Sequence, residues 1–334
     1  MSKMTFPSLF RGIKTKGQFV FCHPITNNAA GWEFYLRAND FEAHYEYKGD
    51  NDRTFVQRAL QACKVTEEID ADLLNETINR LSEKPTHVAS ALDFLRAWVY
   101  VEPAQSTDET RYNLNGICVD EGKLVATDGH RMNIYPNAFP TEINGESVGQ
   151  MILPSAGHTA FVRALVYNLD RGVATYTVSR TTHGLLLRTE SAGFKATFSV
   201  RLCDGQFPDY KQVIPTYDLN ESICITGNVG LLAAALKTAP VTLLSNKDKR
   251  LLLAIDSDGH VWACENDGTP DVRPLPVHAT GWTNEERKMM VALSLTYLME
   301  AFDGDSAFTM RLADLSPIRW EQGEALGIIM PMRA

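Results

Sequence analysis

Leu124-Val125-Ala126-Thr127-Asp128-Gly129-His130-Arg131-Met132 reads as a strand, a tight turn and the start of a second strand, because Asp-Gly supplies the positive φ that a hairpin turn needs. The same rhythm returns in Ala254-Ile255-Asp256-Ser257-Asp258-Gly259-His260. Stretches of helical periodicity surround each turn. Around the first lie Val88 to Val101, with Val88, Leu92, Leu95 and Val99, and Ala156 to Leu169, with Phe161, Leu165 and Tyr167. Around the second lie Gly230 to Ala239 and Leu293 to Phe302, with alternating stretches such as Leu251 to Asp256 between them. Two helices plus antiparallel hairpins, given twice, make an α+β domain repeated in tandem.

Proline-marked breaks divide the chain. Glu83-Lys84-Pro85-Thr86 ends one helical stretch, and Ile214-Pro215-Thr216-Tyr217-Asp218 precedes the strand Ser222-Ile223-Cys224-Ile225. The expected segments are therefore residues 1–85, 86–216 and 217–334. In the first, Gln18 to Cys22, Trp32 to Leu36 and Glu42 to Tyr47 read as strands, and Thr54 to Val65 and Ala71 to Leu81 as helices.

Three further blocks carry loop or terminal chemistry. Arg111-Tyr112-Asn113-Leu114-Asn115-Gly116 lies just before the first hairpin, and Asp204-Gly205-Gln206-Phe207-Pro208-Asp209-Tyr210 fixes two aromatics in a Gly- and Pro-bounded loop. The chain ends in Ile328-Ile329-Met330-Pro331-Met332-Arg333-Ala334, an apolar run that reads as a final strand leaving two thioethers at a surface.

Taken together, these blocks resemble the bacterial β sliding clamp family, the processivity subunits of the replicative DNA polymerase. The family's patterns R-Y-x-L-N-G, V-A-T-D-G-H-R and D-G-x-F-P-D-Y, and all but the last residue of its terminal M-P-M-R-L, occur in order over residues 86 to 334, with Leu243-Leu244-Ser245-Asn246 as a further echo. The resemblance implies tandem clamp-type domains, each of two helices backed by antiparallel sheets, in a ring with pseudo-sixfold symmetry. The first segment is shorter than the family's first domain, so it is either a pared-down clamp domain or an unrelated module. In the first case two chains close the ring, with Leu243 and Leu244 at the seam. In the second, three chains do. The dimer is the favoured expectation.

The resemblance also implies a cleft between the second and third domains that takes short extended peptides from the polymerase and the clamp loader. Carried over position by position, its wall and floor are Leu114, Thr127, Gly129, His130, Arg131, Met132, Pro208, Gln212, Val213, Ile328, Met330, Pro331, Met332 and Arg333, with Ser294 and Tyr297 at one border. Gln212 stands where the family commonly has Arg, and Ala334 replaces a terminal Leu. Contacts with encircled duplex DNA fall to Arg96, Arg111, Tyr112, Arg163 and Lys237, with Arg171, Lys247, Lys249 and Arg250 near them. Asn113 replaces a frequent second aromatic.

Composition bounds the alternatives. A formal net charge of −9 disfavours a tight open-surface DNA binder, which would need Lys and Arg against phosphate, but leaves room for a ring that slides on DNA without ion pairing strongly to it. No apolar run approaches the roughly 20 residues of a membrane span, and Met1 to Thr5 opens no signal-peptide core, so a cytoplasmic protein is expected. The six cysteines show neither metal-ligand spacing nor a disulfide pattern. An Asp128–His130 general base with a Thr127 nucleophile is conceivable, yet no Gly-rich phosphate loop, His-Glu metal pair or second carboxylate block accompanies it. A binding protein without catalysis, metal or cofactor is the reading. The other reading is a clamp-like protein of a mobile element that binds partners without encircling DNA.

Overall fold

Alternation in Phe41–Tyr47 puts Phe41, Ala43 and Tyr45 on one buried face and Glu42, His44 and Glu46 on the other. Its neighbour Phe194–Arg201 alternates in the same way, with Phe194, Ala196, Phe198 and Val200 buried, and the pairing sets Tyr45 opposite Ala196. The computed structural model describes residues 19–24, 32–38, 40–48, 71–108, 110–182, 184–217, 222–238, 250–264, 273–281, 289–301, 306–313 and 316–332. They fall into two compact units. The first comprises Met1–Trp98, Asp108–Leu124 and Asn137–Gln206, the second Val99–Thr107, Val125–Pro136 and Phe207–Ala334.

In the first unit a seven-stranded antiparallel sheet runs, in spatial order, Phe19–Pro24, Trp32–Arg37, Phe41–Tyr47, Phe194–Arg201, Gly184–Ser191, Thr175–Arg180 and His87–Ser90. It takes strands from both of the first two expected segments. Its apolar face is closed by the helices Ala91–Val101 and Ser155–Leu169 through a chain of ring contacts. Phe161 meets Phe94, Tyr176 and Phe198 edge-on at centroid separations of 5.8, 5.2 and 5.6 Å. The other face carries the helix Ala71–Ser82, whose Thr77 and Arg80 reach Glu42.

The second unit contains antiparallel strands in the order Arg131–Tyr135, Ala325–Ile329, Ile318–Gln322, Ala307–Leu312, Ile223–Asn228 and Val277–Thr280. A three-stranded sheet orders Val261–Cys264, Arg250–Ile255 and Met289–Ser294. Between them, the helices Val229–Lys237 and Leu295–Glu300 contribute Leu232, Leu236 and Leu298 to one core that includes Trp320, fully buried and stacked on Phe308 at 4.4 Å. Asn228 and Ser294 start the two helices as N-caps, accepting from the amides of Leu231 and Tyr297 at 3.0 and 3.3 Å.

Two expectations need correction. The stretch from Val88 is not one helix: His87–Ser90 pairs as a strand with Thr175–Arg180, and the helix begins at Ala91. Its buried side is Ala91, Phe94, Leu95 and Ala97, leaving Leu92 and Val99 exposed, because the strand resets the helical phase. Similarly, Met289–Ser294 is a strand, so the helix expected from Leu293 starts only at Leu295. The helix expected over Thr54 to Val65 lies outside the described residues. No helix among those described is long and apolar enough to cross a membrane.

Two histidines are built into the first unit in the neutral form. Burial pushes His158 down to about 3, and its Nδ1 accepts from Trp98 Nε1 at 2.8 Å. Burial also lowers His44, stacked on Tyr35 at 4.3 Å, to about 4. Each imidazole takes up a proton on unfolding below its ordinary value of 6.5 but not while folded, so stability is full above that pH and falls as pH drops toward 4. We expect urea unfolding to weaken by up to about 1.4 kcal/mol per pH unit for each histidine in that window. His158→Gln should flatten the slope; an unaltered slope would contradict this origin.

Candidate functional site

The turn Thr127–Arg131 is held by two of its own side chains, Thr127 and Asp128. Asp128 Oδ1 accepts from the amides of His130 and Arg131 at 2.9 and 3.0 Å, and Gly129 takes φ +91°. Thr127 Oγ1 accepts from Gly129 N at 3.0 Å and donates to Arg131 O at 2.6 Å. The second turn is built alike. Asp256 Oδ1 accepts from the amides of Asp258 and His260 at 3.0 and 2.9 Å, with Gly259 at φ +81°. The second carboxylate oxygens differ in use: that of Asp128 meets Arg131 Nε at 3.1 Å, that of Asp256 meets Trp262 Nε1 at 3.0 Å.

Arg131 ties this turn to two other elements of the second unit. Besides Asp128, its guanidinium donates to Glu300 and to the carbonyl of Pro103, and it lies over the Tyr297 ring at 4.3 Å. Burial, with the neighbouring Asp128 carboxylate, raises the Tyr297 phenol above its ordinary value. The hydroxyl and carboxylate of Thr127 and Asp128 are thus engaged in shaping the turn and positioning Arg131. His130 stands exposed beside them.

The C-terminal tail completes the group. Beyond the strand Ala325–Ile329, Met330 N donates to His130 O at 2.9 Å, and two residues on, Met332 N donates to Ala292 O at 2.7 Å. Pro331, which has no amide hydrogen, falls between them. The tail is therefore handed from the hairpin turn to the edge of the three-stranded sheet. Met332 packs there on Leu252, Cys264 and Ala292, beside Trp262. The surface so assembled carries Gly129, His130, Tyr297, Met330, Pro331 and Met332, all exposed or half-buried.

Other expected cleft residues are placed differently. Met132 and Ile328 face each other across paired strands at 4% and 2% exposure, so they are core beneath the turn, not an open wall. Arg131 is a strut, with a side chain only 9% exposed. Ser294 caps a helix. Pro208, Gln212 and Val213 sit exposed around the 3-10 turn Tyr210–Val213, where Gln212 Nε2 donates to Asp209 at 2.7 Å and the buried rings of Phe207 and Tyr210 meet edge-on. Leu114 is buried in the first unit. Arg333 lies outside the described residues. Sequence reasoning missed Glu300, one helical turn after Tyr297 on the same helix, and Pro103 and Ala292, which act through their carbonyls.

Among the expected DNA contacts, Tyr112 is 62% exposed and lies against Gly205. A Cβ at Gly205 would come within 2.9 Å of the Tyr112 ring, so this glycine lets two loops touch. Asn113 joins them too, its amide donating to Gln206 O at 3.0 Å. Arg111 pairs loosely with Asp108 at 3.6 Å. Arg96 and Lys237 are exposed, whereas Arg163 is half-buried, and that burial lowers its pKa. Leu243, Leu244, Lys247 and Lys249 lie outside the described residues.

No family model matches the chain. It is 30% identical over 187 residues to the β sliding clamp of Haemophilus influenzae, an alignment covering 55% of this chain and 42% of that protein. With the β sliding clamp of Pseudomonas putida it shares 28% identity over 240 residues, 69% of this chain and 60% of that protein. The chain thus spans about half the length of these relatives in alignment. The fold matches more widely. The DNA polymerase III subunit β of Pseudomonas aeruginosa superposes with a TM-score of 0.67 at 18% identity, over 98% of this chain and 96% of that one. That of Thermotoga maritima gives 0.64 at 17% identity, over 100% and 94%.

The four-way engagement of Arg131 sets a test. Arg131→Ala removes the guanidinium shared by Asp128, Glu300 and the Pro103 carbonyl and should cost about 3 kcal/mol in urea unfolding. Arg131→Lys should recover less than half of that, since one ammonium cannot serve three acceptors and a ring in the same fork. A loss below about 0.5 kcal/mol for Arg131→Ala would show the strut to be dispensable.

Proposed function

We propose that this chain, a divergent member of the bacterial β sliding clamp family, is a DNA sliding clamp that surrounds duplex DNA and tethers a polymerase and a clamp loader through short peptides. The observation that carries the reading is the meeting, in one unit, of the Thr127–Arg131 turn, Tyr297 and the Met330–Met332 tail. Three motifs far apart in sequence assemble there around backbone hydrogen bonds. The result is a ledge of flexible thioethers, a proline and an aromatic ring, suited to the apolar side chains of an extended peptide. Gln212, exposed on its own turn, offers an amide where a cation would select acidic partners.

Holding DNA by encirclement needs no strong ion pairing, and an acidic chain of net charge −9 suits it. Tyr112, braced on Gly205, would meet the duplex by stacking or by a backbone hydrogen bond, with Arg111, Arg96 and Lys237 supplying weak, sequence-independent attraction. Arg163, half-buried, contributes less. In this reading residues 1–85, 86–216 and 217–334 are three clamp-type domains. Two chains then close a six-domain ring, with Leu243 and Leu244 at the seam. The superposition over nearly the whole chain supports counting the first segment as a domain. The protein works in the cytoplasm as a tether, without chemistry of its own.

Light scattering across a range of concentrations should give twice the chain mass of 37.2 kDa. A mass that stays at one chain would overturn the ring. For the ledge, Met332→Ala combined with removal of Arg333 and Ala334 should weaken a clamp-binding peptide about thirty-fold, near 2 kcal/mol, with the mass unchanged. Equal peptide affinity in fluorescence anisotropy would place the peptide site elsewhere.

A further inference from the structure

At one end of the first unit's seven-stranded sheet, a cavity of about 520 Å³ opens among strand ends and the helix Ala71–Ser82. Arg37, Glu42, Arg80, Thr181, Ser199 and Arg201 line it. Glu42 is buried and already crowded with donors. Arg80 Nε and Nη2 reach it at 2.7 and 2.6 Å, Thr77 Oγ1 at 3.3 Å, and Arg37 Nε at 3.5 Å. Two guanidinium groups thus converge on one carboxylate, and Arg80 is shared with a second, Glu76, at 3.6 Å, which leaves Arg37 without a carboxylate of its own. Arg37 Nη1 is buried and has no acceptor among the described residues. A buried guanidinium nitrogen without an acceptor is the kind of group a ligand satisfies.

The rest of the lining fits the same chemistry. Arg201 comes from a different strand and is held only loosely, 3.8 Å from Asp204 with both side chains largely exposed, so it is free to turn inward. The hydroxyls of Thr181 and Ser199 can donate. Glu83 is the one further carboxylate on the wall and limits the net charge. The volume lies within the range of small-molecule sites and is far too small for a duplex.

We propose that this cavity binds the oxyanion of a small metabolite, either a phosphate monoester or a polycarboxylate, with Arg37 and Arg201 as its forked donors and Arg80 held in place by Glu42. The site is separate from the peptide ledge and from the residues assigned to DNA. Its failure would leave the clamp reading untouched.

Isothermal titration of the full chain with inorganic phosphate, and separately with citrate, at ionic strength fixed by sodium chloride, tests it. Saturable binding of at least one anion is expected, weakened tenfold or more in both Arg37→Gln and Arg201→Gln and unaltered in Arg273→Gln, an exposed arginine outside the cavity. The tighter of the two anions identifies the ligand class. Heat that does not saturate with either anion overturns the proposal, and so does equal affinity in Arg201→Gln. That substitution is at an exposed side chain and should leave folding intact, so it decides alone if Arg37→Gln loses its circular dichroism signal.

Discussion

One cation, Arg131, holds together what the rest of the second unit presents. A guanidinium has five donors in a fixed plane. Here they are divided between a turn carboxylate, a helix carboxylate and a lone carbonyl, while the flat face rests on Tyr297. Such an arrangement fixes the relative placement of elements that share no backbone pairing. The turn could form alone, since Asp128 closes it. Its position against the helix Leu295–Glu300 is set by Arg131 together with the tail, whose backbone bonds run from His130 to Ala292, and the exposed ledge follows from that position.

The twin turns show how one motif was put to two uses. Asp128 and Asp256 each close their loop by accepting from two backbone amides, at i+2 and i+3 in the first and i+2 and i+4 in the longer second, and both loops use glycine at positive φ. The outer carboxylate oxygen is used differently. In one copy it anchors a cation that reaches outward to other elements. In the other it satisfies the indole of Trp262, and His260 lies 3.2 Å from it. Hydrogen bonds from Trp262 and the nearby amides outweigh burial and hold the Asp256 carboxyl below its ordinary value. The first turn is a junction; the second is a local closure.

Much of this was legible in the sequence because it rests on local rules. Asp-Gly spacing marked both turns, alternation marked the strand from Glu42 to Tyr47, and the terminal Met-Pro-Met block marked the ledge. What stayed hidden depends on partners that no local rule names. Pro103 and Ala292 contribute only carbonyls, which every residue has. The helical phase at Val88 misled because an edge strand, paired far along the chain with Thr175–Arg180, claimed those residues first. Met132 and Ile328 were assigned to a surface by position, yet strand pairing places them face to face in the core. The Gly205 contact shows the same limit: Asn113 looked like a missing aromatic until its amide was seen to brace the neighbouring loop.

The tail between Met330 and Met332 has a further consequence, for heredity. Its two hydrogen bonds are made by backbone, two residues apart, with a proline that has no amide to misplace between them. Neither bond reads a side chain, so a change of side chain there, to anything but proline, leaves both bonds in place. A single-codon insertion or deletion between them cannot be tolerated in the same way, since it would leave the amide at Met330 on His130 and put the wrong residue opposite Ala292. In this segment the reading frame of the fold is stricter than its alphabet.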